Sequence, residues 1–212
     1  MAIQQKLETP TPPNLGYPPE LYERRNFNES NGALNAYFRK VTSVLGALFG
    51  VKGSRYINAP YGAFQSTADQ TAAAINTAYA MTFNTTDYTN GITVVSSSRI
   101  TVTDSGIYNL QWSGQFENTA SADHDVRVWI KINGTNLVGS TGFAGIPSKH
   151  GAVDGHAIVG WNYFLSLDAN DYAELWWETD STTVSIQAYA AASNYPSTAS
   201  LIATMQFVSN TM

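Results

Sequence analysis

The sequence predicts a mainly β protein: an all-β sandwich or jelly roll, preceded by an extended Pro-rich arm and one helix. Three observations predict it. Five of the eight prolines fall in the first twenty residues. An apolar stripe of helical period then occupies 26–49. From about residue 56 the period changes to two and stays there, with turn residues between short runs.

The arm follows from Pro10, Pro12, Pro13, Pro18 and Pro19. Proline fixes φ and removes a backbone donor, so the segment is extended and forms no core of its own. The helix is expected to open at Asn26, with Glu29 three residues on as a capping pair. Leu34, Tyr37, Val41, Val44 and Leu48 follow a 3-4-3-4 spacing, and Phe38 and Leu45 widen that stripe. Phe27 lies one heptad before Leu34. A stripe this wide needs a partner: two further copies of itself, another protein, or this chain's own sheet. Gly32 and Gly46 weaken the helix, Gly50 and Gly53 end it, and the flanking charge pairs of a strong coiled coil are missing.

Strands are predicted over 78–83, 92–95, 99–102, 107–116, 126–132, 158–167, 172–177, 184–189 and 201–208. Asn90-Gly91, Asp104-Ser105-Gly106, Asn133-Gly134 and 168–171 separate several of them as turns. The stretch from Gly142 to Gly155 reads as a Gly/Pro-rich loop. Two parts follow, 1–56 and 57–212.

Charge divides the same way. Residues 1–56 carry seven Lys/Arg against four Glu, giving +3, and 57–212 carry four against twelve Asp/Glu, giving −8. An acidic large part repels phosphate, which disfavours nucleic acid, and the basic arm better suits an acidic protein surface. No run of about 18 apolar residues is present, so no membrane helix is expected, and the first residues lack the apolar core of a secretory signal. Cysteine is absent, which removes disulfides, thiolate metal sites and a Cys nucleophile.

Nothing points strongly to catalysis, to a metal or to a cofactor. Asp123-His124-Asp125 is the one tight His/carboxylate cluster, yet on a strand His124 faces away from the two aspartates. Ser148 and His150 lack a third orienting group. Glu174 and Glu178 share a strand face but no evident cleft, and 178–180 reads as a turn. Trp176 and Trp177 must point to opposite faces, so at most one is free for a ligand. Tyr189 and Tyr195 are candidate surface rings, able to meet a sugar or a neighbouring subunit.

The order of the strand motifs resembles the C1q/TNF jelly-roll superfamily over residues 60–208. Ile100-x-Val102-x-x-x-Gly106-Ile107-Tyr108-x-Leu110 is similar to its Gly-x-Tyr-x-Phe strand, with Leu110 in place of Phe. Val128-x-Ile130-x-Ile132-Asn133-Gly134 resembles the next strand and its turn. Phe164-Leu165-x-Leu167-x-x-x-Asp171-x-Ala173-x-Leu175 resembles the following pair, with Asn170 where Gly is usual. Residues 200–207 take the place of the closing strand. This resemblance implies a homotrimer.

The whole arrangement also resembles tailed-phage virion proteins, including those of cyanophages. It shares with them a preface, Tyr22-Glu23-Arg24-Arg25-Asn26-Phe27, then one helix, then the run from Arg55 to Gln65. That likeness implies a non-enzymatic bacteriophage structural protein, a capsid decoration (cement) protein or short fibre. Residues 1–56 would grip the major capsid protein or another virion protein on the capsid or tail, and the β-head would project. Tyr22, Arg24, Arg25 and Phe27 are the candidate anchoring residues. Leu34, Tyr37, Phe38, Val41, Val44, Leu45 and Leu48 are the candidate helix-packing residues of the trimer. The alternative expectation is a receptor-binding fibre knob that recognises a host-surface glycan.

Overall fold

The computed structural model describes residues 10–15, 23–49 and 59–210. The chain divides into two compact units, Met1–Asn58 and Ala59–Met212, each treated by itself below. In the first unit residues 10–15 have no regular secondary structure, and α1 spans Arg24–Phe49. The helix therefore starts two residues before the expected cap. The Glu23 carbonyl accepts the Phe27 N–H at 3.1 Å, so Glu23 begins the hydrogen-bond ladder and Asn26 sits inside the first turn. Arginine is a good helix former, and Arg25 pairs with Glu29 at 2.9 Å one turn on, which favours the longer helix over a cap at Asn26. Tyr22, Gly50 and Gly53 lie outside the described residues.

Within α1 the side chains of Leu34, Tyr37, Val41, Val44 and Leu48 are half-buried, and those of Phe27, Phe38 and Leu45 are exposed. Gly32 and Gly46 are fourteen residues apart on the opposite face, and a Cβ added at either meets nothing within 4 Å. Gly32→Ala with Gly46→Ala is expected to stabilise the helix by about 1–2 kcal/mol in sum without touching the stripe. Circular dichroism at 222 nm should show the gain.

The second unit contains β1 (Tyr61–Ser66), β2 (Gln70–Thr71), β3 (Tyr79–Ala80), β4 (Thr85–Asn90), β5 (Ile92–Val95), β6 (Arg99–Val102) and β7 (Gly106–Asn118). It continues with β8 (His124–Ile132), β9 (Thr135–Asn136), β10 (Gly142–Ile146), β11 (Gly155–Leu167), β12 (Tyr172–Thr179), β13 (Val184–Ile186) and β14 (Leu201–Ser209). Every ladder between these strands is antiparallel, and they form two sheets of a β sandwich. The first runs β2-β13-β7-β14-β1-β4 with β11 also on β7, and the second runs β10-β8-β12-β6-β5 with β3 on β12 and β9 on β8.

Strand β7 organises the first sheet. β11 pairs with it from Gly106 to Asn118. Its other edge is shared by β14, along 107–114, and β13, along 116–118. Alternate residues of β7, Tyr108, Leu110, Trp112 and Phe116, are buried against the second sheet, as the period-two pattern requires. The second sheet answers with Ile100, Val102, Val126, Val128, Ile130, Leu175 and Trp177. Phe116 meets Trp177 edge-on at 5.8 Å, joining the two sheets at the centre of the core.

Three parts of the sequence reading need correction. The stretch 142–146 is not loop but β10, paired with β8 from Gly142 to Ile146. Gly142 is required by close approach: a Cβ there would lie 1.5 Å from the Trp161 ring. Residues 178–179 continue β12, because Glu178 and Thr179 pair with Arg127 and Val126. The strand expected over 78–83 shrinks to Tyr79–Ala80, and β1 and β4 were not foreseen. The turn signals fare better. Asn133 and Gly134 have φ of 50° and 79°, and Asn170 takes φ of 71° in the place of a glycine.

Candidate functional site

The two sheets present outer faces of opposite chemistry. On the first sheet the outward residues of β11, β7, β14 and β1 include no Asp, Glu, Lys or Arg between Ile158 and Ser166, Ile107 and Gln115, Ile202 and Val208, or Tyr61 and Gln65; Glu117 on β7 and Asp87 on β4, which accepts from Gln65 at 2.7 Å, bound that stretch. Register sets them in rows. Thr204, Gln111 and Asn162 lie side by side across three strands, and so do Gln206, Asn109 and Phe164. Large apolar side chains stand among the amides: Ile158 is 70% exposed, Phe164 65%, and Ile202, Val208 and Tyr61 are also exposed. Asn109 is only 8% exposed, and its amide oxygen is buried with no hydrogen-bond partner. A buried carbonyl left without a donor costs about 1–3 kcal/mol.

On the second sheet the outer face is a lattice of rings and charges. Three of the unit's four Lys/Arg stand there: Arg99, Arg127 and Lys131. Each lies over a ring: Arg99 over Tyr172 at 4.7 Å, Arg127 over Phe143 at 5.4 Å and Lys131 over Trp176 at 3.5 Å. The two carboxylates singled out from sequence both sit here. Glu178 accepts from Arg127 at 2.8 Å. Glu174, 6% exposed, accepts from the Ser98 hydroxyl at 2.7 Å and the Trp176 indole N–H at 3.4 Å, with Arg99 at 3.7 Å. They share a face, as the spacing predicts, but each is bound to its own neighbours on an open sheet. Trp176 lies on this face and Trp177 in the core.

The His/Asp cluster disperses. His124 Nδ1 lies 3.1 Å from Asp180 Oδ1, which also accepts the Asp125 N–H. Asp123 instead accepts the Ser148 N–H at 2.7 Å, and Ser148 holds its carboxyl below the usual range. That grip on the 147–153 loop is present above the ordinary aspartate pKa and is lost as pH falls through the lowered value. Among the described residues no group of three His, Cys, Asp or Glu side chains could hold a metal ion. No helix among them is long and apolar enough to cross a membrane.

Of the loop rings, Tyr189 is fixed and Tyr195 is exposed. The Tyr189 hydroxyl donates to Glu117 Oε2 at 2.8 Å and lies 3.1 Å from His156 Nδ1, with the two rings edge to face. Tyr189 also lines a cavity of about 460 Å³ with Gln65, Thr67, Asp69, Ser197 and Thr198. Sequence reasoning picked out Tyr189 but not Asp69, which reaches the cavity from a turn 120 residues away along the chain. No sequence signal joins the two.

The candidate anchoring residues Arg24, Arg25 and Phe27 lie on the first turn of α1, where Arg25 is paired with Glu29. The candidate packing residues fall on its half-buried and exposed stripe, described above. In comparisons with known proteins, no family model matches the chain, and no curated protein does.

Proposed function

We propose that the chain is a non-enzymatic structural protein of a tailed-phage virion, a homotrimer with a C1q/TNF-like jelly-roll head. Residues 1–56 attach it to the capsid or tail, as a decoration protein or short fibre, and the head projects. The observation that supports assembly best is the central stretch of the first sheet's outer face, which is free of charge between Glu117 on β7 and Asp87 on β4. In a unit of net charge −8, three copies repel unless they meet through a surface free of charge. The central stretch of this face is such a surface, and large apolar side chains, Ile158 and Phe164 among them, stand exposed on it. The second sheet, with its stacked cations, then faces solvent. The helix adds to the assembly: Phe27, Leu34, Val41 and Leu48 stand at heptad intervals with Tyr37 and Val44 between them. Against catalysis, Glu174, Glu178 and Asp123 are each engaged by neighbours on open surfaces.

Attachment is tested on particles. A Fab raised against the head should decorate the surface of intact, purified virions in negative stain, and Arg24→Glu with Arg25→Glu should abolish incorporation. A protein found only in the soluble lysate, never on particles, would sink the reading.

A further inference from the structure

We propose that the Asp69–Tyr189 cavity binds a neutral pyranose sugar. The inference does not rest on trimer formation or on virion attachment. The cavity of about 460 Å³ is within the range that holds small ligands, roughly 300–1,000 Å³. It forms where the end of β1, the turn at 67–69 and the segment 188–199 meet.

Its polar groups are fixed before any ligand arrives. Asp69 Oδ1 accepts the Ala188 N–H at 2.9 Å. The Gln187 amide, in the orientation that satisfies both its ends, donates to the two Asp69 oxygens at 2.9 and 3.0 Å and accepts from the Ser185 hydroxyl. Oδ1 is filled by these two donors, but Oδ2 has further lone-pair capacity, so Asp69 can still accept a hydroxyl donor. Tyr189 is clamped through its hydroxyl by Glu117 and His156, which holds its ring in place. Segment 188–199 is itself tied, because Tyr189 and Thr198 exchange both backbone hydrogen bonds. A site whose groups are already oriented loses little entropy on binding.

The lining also decides the class of ligand. Gln65, Thr67, Ser197 and Thr198 offer amide and hydroxyl groups, which both give and accept hydrogen bonds, as sugar hydroxyls do. Burial first, then the hydrogen bond and charge of Glu117 and the charges of Asp154 and Asp69, push the Tyr189 hydroxyl well above the usual tyrosine pKa, so the surroundings of the ring are acidic. That field excludes sialic acids, uronates and phosphates. No Lys or Arg lines the cavity. A neutral hydroxylated ring therefore fits where an anionic one does not.

The test is calorimetric titration of the full-length chain with methyl α-glucoside, methyl α-galactoside, methyl α-mannoside, N-acetylglucosamine and L-rhamnose. Choline chloride is a cationic arm and glucuronate an anionic one. At least one neutral sugar should saturate a single site per chain. Asp69→Asn should weaken it at least tenfold, and Ser197→Trp, an exposed position that blocks the mouth, should abolish it. Melting temperatures of the variants, measured alongside, separate loss of the site from loss of the fold. Ser197→Trp leaves that control intact even if Asp69→Asn loosens the turn. Failure of every neutral sugar, saturation by choline or glucuronate instead, or sugar binding that survives Ser197→Trp would each overturn the proposal. None of these outcomes bears on the oligomeric state, which is read from mass.

Discussion

Thr204→Asp is expected to raise the concentration at which the proposed trimer dissociates by at least a hundredfold, while leaving the head folded. Thr204 lies on the outer face of the first sheet, in register with Gln111 and through it with Asn162. A carboxylate there puts one charge per copy at the middle of a face whose other carboxylates, Asp87 and Glu117, stand at its margins and are hydrogen-bonded to Gln65 and Tyr189. On association all three charges lose water and gain no cation, because the face offers no Lys or Arg. Removing an ion from water without a partner costs several kcal/mol in proteins, and in a monomer–trimer equilibrium about 5.5 kcal/mol in total, shared over three copies, corresponds to a hundredfold shift in the dissociation midpoint. The side chain points away from the core, so the cost to folding of the single chain is small. The matching control is Thr101→Asp, on the outer face of the second sheet near Arg99 and Tyr172, which should leave the mass unchanged. Analytical ultracentrifugation across a concentration series reads both. A Thr204→Asp protein as tightly associated as the unaltered chain would show that the copies meet elsewhere.

Trp177→Ala is expected to cost the second unit about 3–5 kcal/mol, the largest loss from any single truncation considered. Trp177 is 1% exposed and touches Phe116 of the opposite sheet at 5.8 Å and Tyr79 at 6.3 Å, so its removal leaves a void between the sheets. For a unit of this size the loss lowers the melting temperature by roughly 6–20 °C. Trp176→Ala, one residue away on the outer face, loses its contact with Lys131 and its weak bond to Glu174 and should cost about 1 kcal/mol. Thermal unfolding followed by near-ultraviolet circular dichroism distinguishes them. Equal shifts for the two variants would contradict the inside–outside assignment.

How far the sequence reveals this structure depends on how locally each feature is encoded. β7 is legible because Tyr108, Leu110, Trp112 and Phe116 alternate with polar residues over more than ten positions. α1 is legible because its stripe repeats for three heptads, although its first turn is not, since two arginines and an ion pair extend it past Asn26. β10 is hidden because Gly142-Phe143-Ala144-Gly145-Ile146 has loop composition. Gly142 makes room for Trp161, nineteen residues downstream, and no local pattern records that demand. β1 is hidden for a related reason, with Gly62 and Ala63 diluting its alternation.

The candidate sites were less legible still. An uncharged face emerges only when register sets β11 beside β7 and β7 beside β14, because each strand alone shows merely a few polar residues between apolar ones. The cavity depends on Asp69 meeting the chain at Ala188, a contact fixed by the pairing of β13 with β2. The separation of Trp176 from Trp177 was legible because it follows from the period of a strand, whereas Asp123 precedes β8 and is drawn off by the Ser148 N–H.

The most direct test of the account is the absolute mass of the full-length chain in solution, by light scattering after size exclusion at sub-micromolar concentration. With 23.0 kDa per chain, a species of threefold mass is predicted, dispersing to single chains in Thr204→Asp. A stable species of 23.0 kDa at every concentration would contradict it, leaving the uncharged face and the helix stripe without the partner the account gives them.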